Sequence, residues 1–161
     1  MSESPLFLDH HPYFADGGLW STEGWYFDES GHMIRCRGWT RVRRARDVWT
    51  VSSELSLDLF EPEPIALRAV LSLDPPEEDD REGYWSAERP GIGAFAGRFT
   101  AVADTLMSIG FSEDGLYQSV EIFILGETDD EYHVRGTLAR ESETIASWTA
   151  SMTRESPGDE A

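Results

Sequence analysis

Apolar and polar residues alternate with a period of two through most of this chain, and no long window carries apolar residues at helical spacing between caps. From Asp47 to Leu59, for example, Trp49, Val51, Leu55, Leu57 and Leu59 share one face, while Thr50, Ser52, Glu54, Ser56 and Asp58 share the other. Such alternation makes a half-buried strand. The same reading predicts strands over 18–28, 32–44, 65–73, 94–103, 104–112, 116–125, 131–140 and 144–153. Glu61-Pro62-Glu63-Pro64 interrupts the pattern, because proline cannot donate to a ladder. The acidic stretch 74–83 reads as an exposed loop. Tyr84-Trp85-Ser86 leads into Glu88–Gly93, whose Pro and two Gly predict an irregular crossing with room for one helical turn near 86–93.

The later connections are short and centre on Asp114-Gly115, Asp129-Asp130 and Glu141-Ser142-Glu143. Short connections force antiparallel neighbours. A meander with no crossover helices closes on itself readily, because closure removes both sheet edges. The expected fold class is therefore all-β: an antiparallel up-and-down β-barrel of about 8–10 strands. One domain over residues 1–161 is expected, with an irregular N-terminal segment (1–17) and a frayed polar tail (155–161). Six Trp and eight Phe supply enough apolar surface to offset chain entropy without disulfides or metal.

Charge narrows the partners. There are 31 acidic residues against 13 basic ones, all of them Arg, for a formal net charge of −18. This repels phosphate backbones and anionic headgroups, so no nucleic acid and no membrane is expected as a partner. Acidity without Lys suits a halophilic, high-salt cytoplasm, and Arg in place of Lys also follows from GC-rich coding. Cys36 is the sole cysteine, so no intrachain disulfide can form. The opening residues lack the basic start and apolar run of a signal peptide, which points to a cytoplasmic location.

Gly18-Leu19-Trp20 opens the first predicted strand, Trp148 lies in the last, and Arg154 stands at its end. In outline this resembles the lipocalins and the wider calycin group of ligand-binding barrels. Their first strand carries a Gly-x-Trp signature, and an Arg near the final strand packs across that Trp to close the barrel bottom. The resemblance implies a lipocalin-like barrel in which Trp20 and Arg154 plug one end. Typical members are secreted and disulfide-bonded, and this chain departs from them in having one Cys and no signal peptide.

Two further sets of residues could carry chemistry. Arg35, Arg37, Arg41 and Arg43 alternate along the second strand with Trp39 in the same row, opposite a small, apolar row that should face inward. An outer face balanced by acidic neighbours is the expectation, and an anion or protein-binding patch the alternative. Glu121, His133 and Arg135 form the second set. A turn centred near Asp129 would put Glu121 opposite Arg135 and Phe123 opposite His133. The row of Val120, Ile122 and Ile124 with Tyr132, Val134 and Leu138 reads as core, which would send the Glu121 row outward. The length of the turn at Asp114-Gly115 decides which row receives Met107, Ile109 and Phe111.

The run Asp9-His10-His11 lacks placeable partners for a coordination shell, so no metal site is assigned. Cys36 sits on a small-residue face that should bury it. No P-loop, dinucleotide fingerprint or nucleophile elbow is present, so no cofactor and no catalytic residue is assigned. The leading expectation is a barrel that binds a small, largely apolar molecule. Its site is framed by Trp20, Trp25, Trp49 and Trp148, with Glu121, His133 or Arg135 as polar anchor and Trp85 as a further ring. An isomerase- or cyclase-type barrel enzyme using Glu121, His133 or Arg135 is one alternative. A homodimer or scaffold built on the Arg-rich strand is another.

Overall fold

The computed structural model describes residues 7–15, 17–45, 48–58, 65–73, 81–89 and 92–155. A 3-10 turn (Leu8–His10) and one helical turn, α1 (Pro12–Ala15), precede ten strands. These are β1 (Gly18–Phe27), β2 (Met33–Ala45), β3 (Val48–Leu57), β4 (Ile65–Leu73), β5 (Glu82–Arg89), β6 (Gly93–Val102), β7 (Thr105–Ser112), β8 (Tyr117–Leu125), β9 (Glu131–Arg140) and β10 (Glu143–Arg154). Each pairs antiparallel with its sequence neighbours, and β1 also pairs with β10, so the barrel is closed. The expected meander is present, with one correction. Residues 82–89 form a full strand rather than a loop and an irregular crossing, because Gly83, Trp85 and Ala87 alternate inward and pair with Phe99, Gly97 and Phe95. The segments 59–64 and 74–80 lie outside the described residues, as does the tail beyond Glu155.

Closure determines which residues form the core. One end of the barrel is filled by its own N-terminal segment, where Leu8, His11, Tyr13 and Phe14 are buried against Trp20, Trp49, Phe99, Phe123 and Tyr132. Phe14 meets Trp49 at 5.5 Å and Phe99 at 5.2 Å edge to face, and Tyr13 meets Phe123 at 5.4 Å with the two rings tilted. Each such aromatic contact adds about 0.5–1.5 kcal/mol beyond area burial. The N-terminal segment is therefore part of the fold and not an appendage.

Candidate functional site in the barrel interior

The plugged end is held by polar bonds as well as by packing. Arg154 lies over the Trp20 ring at 4.7 Å and donates from Nη2 to the Pro12 carbonyl at 3.2 Å, fastening α1 to the last strand. This is the barrel-bottom pairing that the Gly-x-Trp resemblance implies. His11 is fully buried and bonded through both ring nitrogens. Nε2 lies 3.0 Å from the Ala103 carbonyl, which can only accept, so Nε2 carries the proton. Nδ1 must then accept from the Tyr132 hydroxyl, 3.0 Å away, and that hydroxyl in turn accepts from the Tyr13 N–H at 3.4 Å. Burial pushes the His11 pKa down.

The other half of the interior is built differently. Here Thr22, Tyr26, Ser53, Leu55, Glu121 and Trp148 face inward and are partly buried, beside fully buried neighbours such as Trp85, Ser108 and Ser119, whereas the side chains of the plug are almost all fully buried. Two indoles lie along the wall of this half. Trp148 rests on Gly136, where a Cβ would meet its ring at 2.3 Å, and reaches across β9 to donate from Nε1 to Glu121 Oε2 at 3.0 Å. Tyr26 stacks on Trp148, with centroids 6.4 Å apart and planes 6° from parallel. From the other side Trp85 spans Gly97 and Gly110, paired on β6 and β7, where added Cβ atoms would meet its ring at 2.7 and 2.4 Å. Glycine at these positions is what allows the rings to lie flat. Both indoles point toward β8, where Ser119 and Glu121 are adjacent on the inward row and Ser108 is paired with Glu121. The Trp85 Nε1 is buried and has no hydrogen-bond partner among the described residues. Burial first, then the Glu121 charge, push the Tyr13 phenol well above its usual range.

The register of β8 and β9 differs by one residue from the sequence expectation. Glu121 pairs with Gly136, not Arg135, and Phe123 with Val134, not His133. The cause is the connection. Gly126 N–H bonds Glu131 O at 2.8 Å around an even four-residue loop, and the Thr128 hydroxyl accepts from Asp130 N–H inside it. A one-residue slip moves a whole row to the other face. Glu121 and Phe123 therefore face inward with Tyr132, Val134 and Leu138. Val120, Ile122 and Ile124, expected as core, face outward beside His133 and Arg135. Met107, Ile109 and Phe111 join that outward row, since Ile109 pairs with Val120 and Met107 with Ile122.

The sequence-derived candidates thus separate. Glu121 and Trp148 meet inside, Trp20 and Trp49 are packed into the plug, and Trp25 lies outside, 41% exposed. His133 and Arg135 also lie outside, where His133 approaches Glu131 at 3.4 Å and Arg135 donates to Thr149 at 3.0 Å. The trio proposed for enzymatic chemistry does not share one wall. Trp85, second to the other rings in the sequence reading, lies beside the site, and its Trp-over-Gly-pair arrangement becomes readable only once β5, β6 and β7 are aligned. Arg35, Arg37, Arg41 and Arg43 face outward as expected, yet none makes an ion pair among the described residues. Cys36 is buried as a free thiol, and desolvation pushes its pKa up.

No protein-family model and no curated protein matches the chain. Among solved structures, the S-type phycobiliprotein lyase CPES from Guillardia theta superimposes with a TM-score of 0.62 at 14% identity, over 86% of this chain and 88% of that one. The fold is lipocalin-like. A second structure, EF1p2_mFAP2b bound to DFHBI, has a TM-score of 0.44 at 12% identity over 90% of this chain and 99% of that one, too loose a likeness to carry argument. No helix among the described residues is long and apolar enough to cross a membrane.

Proposed function

We propose that this barrel binds one small, largely apolar, flat molecule in the half of its interior away from the plug, between Trp85 and Trp148. The observation that carries this reading is the Trp148–Glu121 bond laid over Gly136 in a region where several inward side chains stay partly solvent-accessible. Core filling alone does not require glycine under an indole, nor a carboxylate on an inward row. Flat aromatic walls suit a planar, conjugated ligand, and the carboxylate reverses the polarity expected from Arg135 or His133. Glu121 accepts hydrogen bonds, so the ligand should present an N–H donor or a delocalised cation rather than an anion. The single buried thiol, Cys36, fits a cytoplasmic setting.

Quenching of intrinsic tryptophan fluorescence by a panel of fatty acids, polyenes, planar N–H heterocycles and a bilin tests the proposal. The bilin is included because a protein of this fold is a phycobiliprotein lyase. Saturable 1:1 quenching by members with N–H donors, weakened about tenfold or more by Glu121→Gln and unaltered by Arg135→Ala, is the expected result. No saturable quenching by any member, with folded and ligand-free protein, would refute it.

A further inference from the structure

The outer wall carries a feature that ligand binding does not use. Met107, Ile109 and Phe111 on β7 lie beside Val120, Ile122 and Ile124 on β8, and all six side chains point away from the interior. Phe111 is 51% exposed and Ile124 37%, while Val102, at the end of β6, is 54% exposed. Contiguous apolar outer rows on neighbouring strands are what buried sheet faces show, whereas solvated ones alternate with polar residues. The distribution of charge is as telling. The chain has 31 acidic residues, yet the outward positions of β6, β7 and β8 include none. On β9 the outward row has one, Glu131, at its end and within 3.4 Å of His133.

We infer that the β7–β8 face is the interface of a homodimer. Two copies each bearing −18 repel one another, so they can meet closely only through a face without carboxylates, and this wall is such a face. The Arg row of β2 lies across the barrel, five strands from β7 and four from β8 in the ring. Related by a two-fold axis, that row would place Arg against Arg, whereas the β7–β8 strip is self-complementary in charge. Its long sides are edged by Arg98 on β6 and Arg135 on β9, and its two ends by Asp104 and by Glu113-Asp114 in the flanking turns. If the strands of two copies cross near a right angle, a known mode of sheet packing, the Arg-edged sides of one come over the acid-tipped ends of the other.

Sedimentation velocity with light scattering, on the full chain over a concentration series, tests this. A species of twice 18.1 kDa is expected. Phe111→Asp should weaken it about thirtyfold or more, as loss of a buried aromatic anchor does. Ile124→Ser, a milder change at another exposed position, should weaken it in the same direction, and circular dichroism checks that both variants remain folded. Arg37→Ser with Arg41→Ser should leave the dimer intact. Raising salt should tighten it, since screening removes net repulsion while an apolar contact persists. A monomer at about 0.5 mM would overturn the inference. So would a dimer broken by the Arg changes and indifferent to Phe111→Asp, or one that salt dissociates.

Discussion

His11→Leu tests whether the N-terminal plug is integral to the barrel. The substitution roughly preserves volume and removes both hydrogen bonds, to Tyr132 Oη and the Ala103 carbonyl, each 3.0 Å long. Each bond contributes about 0.5–1.5 kcal/mol net, and leaving the buried Tyr132 hydroxyl without an acceptor costs about 1–3 kcal/mol more. The sum is a loss of about 2–6 kcal/mol, or about 4–24 °C in Tm for a chain of this size. Tyr132→Phe alone leaves His11 Nδ1 unmet and should cost a similar amount. The double variant His11→Leu/Tyr132→Phe should recover part of the loss, because the mutual partners His11 Nδ1 and the Tyr132 hydroxyl are removed together and only the Tyr13 N–H and the Ala103 carbonyl lose a bond. The pH dependence follows from the depressed His11 pKa. Above the ordinary value of 6.5 the ring is neutral both folded and unfolded, so its contribution is fully present. As pH falls below 6.5 the unfolded chain takes up a proton that the buried ring resists, so stability declines, and protonation would also set an N–H against a Tyr132 oxygen that already accepts from Tyr13. Urea melts of wild type and His11→Leu at pH 7.5 and 5.0 would measure both effects. A loss under about 0.5 kcal/mol, or identical acid sensitivity in the two proteins, would show that the plug is not held through His11.

Gly136→Ala should drive a methyl into Trp148, whose ring would sit 2.3 Å from it, costing about 1–3 kcal/mol and breaking the bond to Glu121; denaturant melts and a shifted Trp emission would report it. Arg154→Ala should cost about 1–3 kcal/mol by freeing the Pro12 carbonyl and baring Trp20, with amide exchange of residues 13–15 rising selectively. Arg37→Ser should change stability by no more than about 0.5 kcal/mol in the same melts, since its side chain is exposed and makes no ion pair among the described residues.

What could be read from sequence was whatever strand periodicity carries. Nine of the strands, their order and the closure follow from alternation and short turns, and the pairing of Trp20 with Arg154 follows from the lipocalin resemblance. β5 escaped because Pro90 and Gly91 sit at its end, and local turn chemistry there outweighed the alternation of Gly83, Trp85 and Ala87. The site was half legible for one reason. Which row faces inward depends on loop parity, and an even loop at 127–130 exchanges Glu121 for Arg135 without altering the composition of either strand. The acid-free wall was hidden by the same slip, since Ile122 and Ile124 looked like core until β8 was aligned. The plug could not be foreseen from residues 7–15, whose short helical turn has no period of its own and is ordered by the barrel it fills.

The central claim is that a ligand sits between Trp85 and Trp148, and the indole N–H signals in a two-dimensional proton–nitrogen spectrum test it most directly. The chain has six such signals, from Trp20, Trp25, Trp39, Trp49, Trp85 and Trp148, each assignable by a Trp→Phe substitution. On titration with a planar N–H ligand, the Trp148 and Trp85 signals should move and saturate together at one equivalent, while the outward Trp25 and Trp39 stay in place. Movement confined to Trp25 and Trp39, with Trp85 and Trp148 unaffected at saturation, would put the ligand on the outer wall and contradict the account.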